Sequence, residues 1–405
     1  MKKIMILGGG INQLGLIHSA KADHYEVLVC DKNPDCIGKK EADLFYCVDI
    51  INVNNVYDVA KKENIDGIIS NSEVVMEVVA EVSSRLGLIG NTKESISILE
   101  SKQLFRHFQK QIDLYAPQNR IIKDSSEIEE ILKELNYPIV IKPVKCSGTR
   151  GTARFDSFVE PDIQNTVKEC ISYSRNNLCQ IEEFVEMPST VVLEGDIFIN
   201  KDQIFWGGLF FTKRSEKLPM VPMTYMSPYI DSERHFSIIK NNLSRIFIEL
   251  GIRHGQYNIE AYFDNSDHFF VIEINARQGG HGLPAFIHMA TGIDMDRLLI
   301  TTAVEDNEYF DYVMKEPLHQ TYATRHAVFG DEDGIYQGIQ ISEEIRSYVV
   351  AIEEVKKMGD SVEKRVNGSS VIGFVDLVFD SYELQHYYSD HLENYIYPKI
   401  KGRNK

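Results

Sequence analysis

Residues 257–275 constrain the fold of this chain most strongly, because they read as a β-hairpin. Residues 257–263 form an apolar-rich strand pattern, residues 264–267 are a polar turn sequence, and residues 268–275 form a second strand pattern. Two strands joined by so few residues can pair only in the antiparallel sense. The sequence therefore predicts an antiparallel sheet in the middle of the chain.

The register of this hairpin decides which side chains share a face. We predict that Phe263 pairs with His268, which puts Glu260 opposite Val271. Directly opposed residues share a face, and successive side chains alternate between faces. One face therefore carries three oxygen-bearing side chains: Glu260, Glu273 and Asn275. The other face carries the apolar side chains directed into the core: Phe270, Ile272 and Ile274.

Two carboxylates and an amide oxygen form a hard-ligand set suited to Mg²⁺, which keeps waters and bridges substrate phosphates. The second strand also leads straight into Arg277 and two glycines rather than into an ordinary turn. We therefore predict a metal site at Glu260, Glu273 and Asn275. A solvent-facing acidic hairpin face is the alternative.

A second feature is a buried strand that ends at a lysine. The apolar residues 138–141 lead to Lys142, and residues 144–152 are rich in glycine, serine and threonine. Such a loop has backbone amides that can close over phosphate, with Lys142 as a point charge at the sheet edge. The loop is not a Walker sequence, because GK[ST] is absent. A surface turn with a solvated lysine explains the same residues about equally well.

The first ninety residues alternate short apolar runs with helical stretches, which predicts an α/β unit with a parallel sheet. A glycine run at positions 8–10 follows the first strand, and Asp31 ends the second, a pattern that invites a dinucleotide interpretation. Gln13 stands where the dinucleotide fingerprint has a glycine. NAD binding is therefore the minor alternative for this segment.

The charge of the chain excludes some classes of partner. Sixty acidic against 43 basic residues give a formal net charge of −17, which repels nucleic acid and anionic membrane surfaces at long range. Neither is an expected partner, and an anionic substrate needs a local cluster of cations and backbone amides. Six cysteines without a CxxC pair, and a first apolar run too short for a signal peptide, predict a cytoplasmic protein with reduced thiols.

Taken in order along the chain, these motifs resemble the ATP-grasp superfamily, and within it carboxylate–amine ligases such as the L-amino acid ligases and the biotin-carboxylase-like enzymes. The resemblance runs from Met1 to about Thr302. It implies that Lys102 and Lys142 contact the nucleotide and that Arg277 lies beside the transferred phosphate. It also implies that the metal ligands are Glu260, Glu273 and Asn275.

The resemblance further assigns a phosphate-covering loop and a hinge whose backbone reads adenine. The loop comprises Ser147, Gly148, Thr149 and Gly151, and the hinge comprises Glu182, Glu183 and Val185. Many relatives carry an acidic ribose-binding residue shortly after the hinge. Thr190 occupies that place here, so Glu186 is the expected substitute.

The implied activity is an ATP-dependent ligase that forms an amide or peptide bond through an acyl phosphate and releases ADP and phosphate. Its cofactors would be ATP and Mg²⁺, with Mn²⁺ as an alternative ion. Its partners would be small carboxylate and amine substrates of amino-acid type, and a homodimer through the first domain is a family expectation. The segment of Gly280, His281 and Gly282, ahead of a helix that starts at Pro284, would hold an anionic substrate group.

Two other functions fit parts of the sequence: biotin-carboxylase-like carboxylation, although a biotin-accepting Ala-Met-Lys-Met is absent, and a nucleotide-binding regulator without catalysis. The predicted fold class is mixed α/β and α+β, in three segments. Residues 1–92 form a Rossmann-like pre-ATP-grasp domain with a parallel sheet. Residues 93–317 form the ATP-grasp domain, with a lid at about 120–186, and residues 318–405 form a small α+β subdomain.

Overall fold

A parallel sheet and three further sheets organise the protein. The computed structural model describes residues 1–146, 150–157, 162–215, 221–365 and 368–402. Parallel and antiparallel sheets occur together with helices, so the predicted α/β and α+β class is confirmed. The three predicted segment boundaries stay a prediction.

The first sheet has four parallel strands in the order β3-β2-β1-β4, with apolar strands buried between helices, as a parallel sheet requires. Its elements are β1 (Lys3–Leu7), α1 (Leu14–Ala22), β2 (Glu26–Asp31), β3 (Leu44–Cys47), α2 (Val53–Glu63), β4 (Gly67–Ile69) and α3 (Met76–Leu86). Two helices follow, α4 (Lys93–Glu100) and α5 (Lys102–Gln111), with the Ser101 hydroxyl accepting a hydrogen bond from the Leu104 amide at the start of α5.

The glycine-rich turn after β1 is filled by the chain's own side chains. The Gly9 amide donates to the Asp31 carboxylate at 2.7 Å, and the Gly10 amide donates to Gln13 Oε1 at 3.0 Å. A Cβ atom on Gly8 would lie 3.1 Å from the Gln13 side chain. Gln13 and Asp31 therefore engage the amides that a dinucleotide phosphate would use.

The second sheet, which we call the lid sheet, has the strand order β5-β8-β6-β7 and is antiparallel. Its core contains apolar side chains from all four strands and from α7. The elements are β5 (Asn119–Ile122), α6 (Ile128–Ile131), β6 (Ile139–Pro143), β7 (Ala153–Phe155), α7 (Ile163–Tyr173) and β8 (Cys179–Glu183).

The third sheet, the central sheet, has nine strands in the order β14-β13-β9-β11-β12-β15-β19-β17, with β10 beside β9. Its first part comprises β9 (Val191–Asn200), β10 (Gln203–Phe205), β11 (Leu209–Arg214), β12 (Pro222–Ser227), α8 (Glu233–Glu249), β13 (His254–Phe263), β14 (Phe269–Asn275), α9 (Leu283–Thr291), α10 (Met295–Ala303) and α11 (Glu308–Lys315). One apolar core joins this sheet through α9 and α10 to β1 and β2 of the parallel sheet.

The last part of the chain extends the central sheet and adds a small three-stranded sheet, β18-β16-β20. Its elements are β15 (Tyr322–Phe329), β16 (Gly334–Ile341), α12 (Glu343–Arg346), β17 (Val349–Glu354), β18 (Ser361–Val362), β19 (Val371–Phe379), α13 (Tyr382–Ser389) and β20 (Ile396–Gly402). Within the described residues, no helix combines the length and the apolar character needed to cross a membrane.

The hairpin of β13 and β14 forms as predicted, but its predicted register is wrong. Phe263 pairs with Phe269 rather than with His268, and a bulge next to Glu260 brings Glu273, not Val271, opposite Glu260. A bulge adds one residue to one strand and changes which side chains share a face. Ile274 is buried in the core as expected, whereas Phe270 and Ile272 turn to the cavity described below.

Candidate active site

A cavity of about 260 Å³ lies between the lid sheet and the β13–β14 hairpin. Strand ends and loops from both sheets line it, and most of the residues singled out by the sequence reach it. The lining includes Lys102, Lys142, Glu182, Glu183, Val185, Glu260, Glu273, Asn275, Arg277, Gly280 and His281. The charged side chains predicted from separate segments thus lie in one place.

Three glutamates stand side by side on neighbouring strands at the floor of this cavity. Glu260 on β13 is directly opposite Glu273 on β14 and directly opposite Glu194 on β9. Arg214 at the end of β11 donates to the Glu260 carboxylate at 2.5 Å. The Asn275 side-chain amide donates to Glu273 Oε1 at 3.2 Å.

Burial and mutual repulsion perturb the glutamates differently. Burial and the neighbouring Glu260 carboxylate raise the pKa of Glu194 to about 8. Burial also raises the pKa of Glu260, with Glu273 adding to the effect and Arg214 opposing it. Burial would raise the pKa of Glu273 too, but Lys102, with Asn275 and Lys142, lowers it to about 2. Glu273 is therefore an anion at neutral pH, held beside carboxyl groups that resist ionisation.

The donor set fits a hard divalent cation. Glu260 and Glu273 oppose each other, and Asn275 donates its amide hydrogen to Glu273, so its carbonyl oxygen is the atom that remains for a cation. No group of three or more His, Cys, Asp or Glu side chains in the described residues is arranged to hold a metal. Two carboxylates and one amide suit Mg²⁺, which takes its remaining ligands from water and phosphate.

Lys142 is held in place by a buried charge cluster. Its ammonium group pairs with the Glu182 carboxylate, which also accepts from Arg106 Nε at 3.1 Å and from the Gln180 side chain at 2.7 Å. The Arg106 guanidinium is fully buried and donates to the Ile272 carbonyl at 2.8 Å. Glu182, predicted as part of the adenine hinge, thus uses its side chain to position Lys142.

The pKa values of this pair shift for different reasons, because a single buried carboxylate faces two cations. Burial lowers the pKa of Lys142 to about 8, with Arg106 and Lys102 adding to the effect against Glu182. Burial opposes the ionisation of Glu182, but Arg106 and Lys142 lower its pKa to about 2. The lysine therefore gives up its proton more easily than a solvated lysine does, and the glutamate stays ionised.

Lys102 lies at the start of α5 and reaches the glutamate row. Its ammonium group is 3.0 Å from Glu273 Oε2. Burial opposes its charge, yet Glu273 raises the pKa of Lys102 above its ordinary value. The two lysines assigned by resemblance thus approach the cavity from different elements.

A buried aspartate accepts hydrogen bonds from the loop after β14 and holds it in place. The Gly279 amide donates to both oxygens of Asp196, at 3.0 and 2.9 Å, and Asp196 also accepts from Asn258 at 2.9 Å. Arg277 lines the cavity, and its guanidinium is 3.6 Å from the Glu73 carboxylate beside α3. Arg277 therefore lies where the parallel-sheet domain and the cavity meet.

His281 and Gly282 are braced by an arginine that the sequence did not single out. Arg325 Nε donates to the His281 carbonyl at 2.8 Å, and its guanidinium makes a two-pronged ion pair with Asp376. A Cβ atom on Gly282, whose φ is +70°, would lie 2.7 Å from that guanidinium. Gly282 does not line the cavity itself. The His281 ring meets the Tyr225 hydroxyl at 2.9 Å, and burial together with Arg325 lowers the pKa of His281.

The predicted phosphate-covering loop is described in part. Ser147, Gly148 and Thr149 lie outside the described residues. Gly151 has φ +68°, and a Cβ atom there would lie 2.8 Å from the Tyr173 ring on α7, so only glycine fits this position without strain. Arg150 and Thr152, its neighbours, line the cavity.

The predicted hinge comprises the end of β8 and the residues just after it, along one wall of the cavity. The Glu183 and Phe184 amides donate to carbonyls of the chain, at 2.9 and 2.8 Å, and the Val185 carbonyl accepts from the Tyr262 hydroxyl at 2.6 Å. Glu183, Phe184 and Val185 line the cavity. Glu186 does not, and it lies 3.6 Å from the Arg154 guanidinium on β7.

Sequence reasoning missed the buried charged residues that line the site or support it. These are Arg106, Glu194, Asp196, Arg214 and Arg325, all at least nine-tenths buried. Arg106 stands one helical turn after Lys102 on α5, so its place on the same helix face was available as a signal. The others are contributed by strands whose neighbours are far away in sequence.

Comparison with known proteins gives the fold an independent test. No protein-family model matches the chain. The carbamoyl phosphate synthase large chain of Xylella fastidiosa is 22% identical over 351 residues, which is 81% of this chain. The chain spans about a third of that relative's length, 32%.

Solved structures match over nearly the whole chain. An L-amino acid ligase from Bacillus licheniformis has a TM-score of 0.81 at 18% identity, covering 99% of both chains. The biotin carboxylase domain of the Hydrogenobacter thermophilus 2-oxoglutarate carboxylase, solved with MgADP and bicarbonate, has a TM-score of 0.70 at 16% identity and covers 99% of this chain and 91% of that chain. The protein therefore has the fold of the ATP-grasp carboxylate–amine ligases, as its sequence predicts.

Proposed function

We propose that this protein is an ATP-dependent ligase that phosphorylates a substrate carboxylate and joins it to an amine. ADP and phosphate would be released, and the substrates would be amino acids or related small molecules. The observation that carries this proposal is the meeting of Lys102, Lys142 and Arg277 with the pair Glu260 and Glu273 around one cavity. Such a set supplies both the cations and the metal ligands that phosphoryl transfer uses.

The nucleotide would bind between the lid sheet and the hairpin. Lys142 and Lys102 reach the cavity from β6 and α5 and would offset the phosphate charge in a chain whose net charge is −17. The hinge residues Glu183 and Val185 lie on the wall where adenine would pack. Glu260, Glu273 and Asn275 would hold Mg²⁺, and the ion would supply positive charge that offsets the charge developing on the transferred phosphate.

The proposed reaction has two steps, and the chain's own residues would assist the second. The carboxylate oxygen attacks the γ-phosphate, ADP leaves, and an amine attacks the carbonyl carbon so that phosphate departs. Arg277 is a planar donor placed to hold an anionic oxygen of the acyl phosphate. His281, whose pKa is lowered, is neutral at pH 7 and could accept the proton that the amine loses.

A substrate screen tests the proposal. The purified chain is incubated with MgATP and with amino acids singly and in pairs, and ADP and phosphate release are measured. Mass spectrometry then looks for a product lighter than the two substrates by one water. We expect amino-acid-dependent ADP release with such a product.

Three other results would each refute the proposal. ADP release that depends on bicarbonate alone would favour biotin-carboxylase-like chemistry. One of the similar structures is a biotin carboxylase domain that was solved with MgADP and bicarbonate. Tight ATP binding without turnover on any amine would favour a regulatory nucleotide-binding protein. Release of AMP in place of ADP would indicate adenylation.

A further inference from the structure

Two buried cysteines of the lid meet behind the cavity and take no part in the proposed reaction. Cys170 on α7 and Cys179, the first residue of β8, are both completely buried, and their sulfur atoms are 2.7 Å apart. The two residues are nine positions apart in sequence. They are the closest pair of thiols in the part of the chain that the structure describes.

This separation matters because it puts the two sulfur atoms in direct contact, which a disulfide requires. A bridge requires β-carbons that face each other and backbones that need not move. Cys170 and Cys179 lie in one apolar core with Val167 and Ile181, which fixes α7 against β8. The side chains are therefore held in contact by packing rather than by chance encounter.

The pair also lies between two parts of the nucleotide site. On one side, a Cβ atom on Gly151 would come within 3.3 Å of the Cys170 backbone, so α7 packs against Gly151. On the other side, β8 continues from Cys179 to Gln180 and Glu182, which hold Lys142. A disulfide here would covalently join α7, which packs against Gly151, to β8, which carries the residues that hold Lys142.

We propose that Cys170 and Cys179 form a reversible disulfide that links α7 covalently to β8. In the reaction, both S–H bonds break and one S–S bond forms. The two protons and two electrons pass to a low-molecular-weight disulfide, whose own S–S bond breaks to give two thiols. Because both sulfur atoms are buried, the exchange requires a local opening of α7.

Cys146 gives the pair a nearby third thiol. It is partly exposed, lines the cavity, and lies close enough to Cys170 to contribute to the raised pKa of that thiol, behind the larger effects of Cys179 and burial. An alternative bridge from Cys146 would tie the loop itself instead of its support. The experiment must therefore identify which two cysteines are joined.

The full-length chain is incubated with glutathione disulfide, quenched with N-ethylmaleimide under denaturing conditions, and digested without reductant. We expect the number of alkylated thiols to fall from the six cysteines of the chain by two, with a cross-linked peptide that contains Cys170 and Cys179. Cys170→Ser or Cys179→Ser should abolish the cross-link, whereas Cys47→Ser, a change at an exposed cysteine, should leave it intact.

A second measurement reports the structural effect without relying on variants. Amide hydrogen exchange in residues 163–173 should be slower in the oxidised chain than in the reduced chain, by roughly tenfold or more, because the bridge blocks the opening of α7. Full alkylation of all cysteines after oxidation would overturn the proposal, and so would a cross-link through Cys146. Thiol counting requires no turnover, so these outcomes are independent of the proposed ligase activity.

Discussion

A substitution at Glu273 tests at a single residue whether the hairpin glutamates bind a metal ion. Glu273→Gln keeps the shape of the side chain but removes the charge that faces Lys102 and Glu260. If Glu273 is a metal ligand, turnover should fall about 10²- to 10³-fold, the effect of losing several kcal/mol of charge stabilisation. ADP release at saturating Mg²⁺ measures this, and circular dichroism should stay native.

The matched control is Glu249→Gln, which removes the same charge from an exposed position at the end of α8. It should keep wild-type turnover. Near-normal ADP release by Glu273→Gln would show that the hairpin glutamates are a structural acidic face and not a metal site.

The lowered pKa of Lys142 predicts that nucleotide binding takes up protons in a pH-dependent way. Its pKa of about 8 means that it is partly deprotonated at pH 8.5 in the free protein. A triphosphate beside the ammonium group would raise that pKa, so binding should take up a fraction of a proton at pH 8.5 and much less at pH 6.5. Calorimetry with a non-hydrolysable ATP analogue, in buffers of different ionisation enthalpy, measures the uptake.

Lys142→Met supplies the comparison, since methionine fills a similar volume without a titrating group. The variant should lose the proton uptake and bind the analogue more weakly. Uptake that persists in Lys142→Met, or affinity that does not change, would mean that Lys142 lies away from the phosphates.

At the scale of elements, Arg106 ties three of them together. Its guanidinium, on α5, donates to Glu182 on β8 and to the Val271 and Ile272 carbonyls at the bulge of β14. Arg106→Met would leave a buried carboxylate and two carbonyls short of a partner. We expect the free energy of unfolding to fall by about 3–5 kcal/mol, the usual cost of breaking a buried pair.

Urea denaturation measures this loss. Arg253→Met is the control, because Arg253 and its partner Asp202 are mostly exposed and such a pair contributes at most about 1 kcal/mol. Equal stability of the two variants would contradict the structural role given to Arg106.

Ion pairs also join residues beside the lid sheet to residues in and beside α3. Lys145, just before the phosphate-covering loop, is 2.7 Å from Glu77 on α3, and Arg175 is 2.8 Å from Glu73. Both pairs are partly exposed, so each should contribute about 1 kcal/mol or less. Lys145→Met should therefore increase lid opening up to about fivefold.

Hydrogen exchange in β6 and α7 reports this opening. Lys168→Met, at an exposed position of α7, is the matched control and should exchange like the wild type. If the hydrogen-exchange rates in Lys145→Met equal those in the wild type, packing alone keeps the lid sheet closed.

For the whole molecule, the sequence predicted the parts whose signals are local. The hairpin and the strand that ends at Lys142 each follow from patterns within about twenty residues, and the parallel sheet follows from the alternation of strands and helices in the first ninety. The bulge beside Glu260 was not predictable, because the extra residue is defined only by the partner strand. Glu194 and Arg325 reach the site through neighbours more than forty residues away, as the pairings Glu194–Glu260 and Arg325–Asp376 illustrate.

The same distinction applies to the site. Lys102 and Arg277 were assigned by resemblance, and their environments depend on contacts that no local pattern contains, such as Glu73 beside Arg277. Glu186, expected from its place shortly after the hinge to contact the ribose, lies 3.6 Å from the Arg154 guanidinium, and its ribose contact stays a prediction. Sequence position places a residue on a strand, but packing decides which way it points.

The central claim is that a carboxylate oxygen of the substrate attacks the γ-phosphate of ATP. It is tested most directly with the amino acid that supports ADP release, labelled with ¹⁸O in its carboxylate. If an acyl phosphate forms and an amine then displaces phosphate, the released phosphate must carry one ¹⁸O atom from the substrate. Unlabelled phosphate would show that water attacks ATP, and label in AMP would show adenylation, and either result would contradict the account.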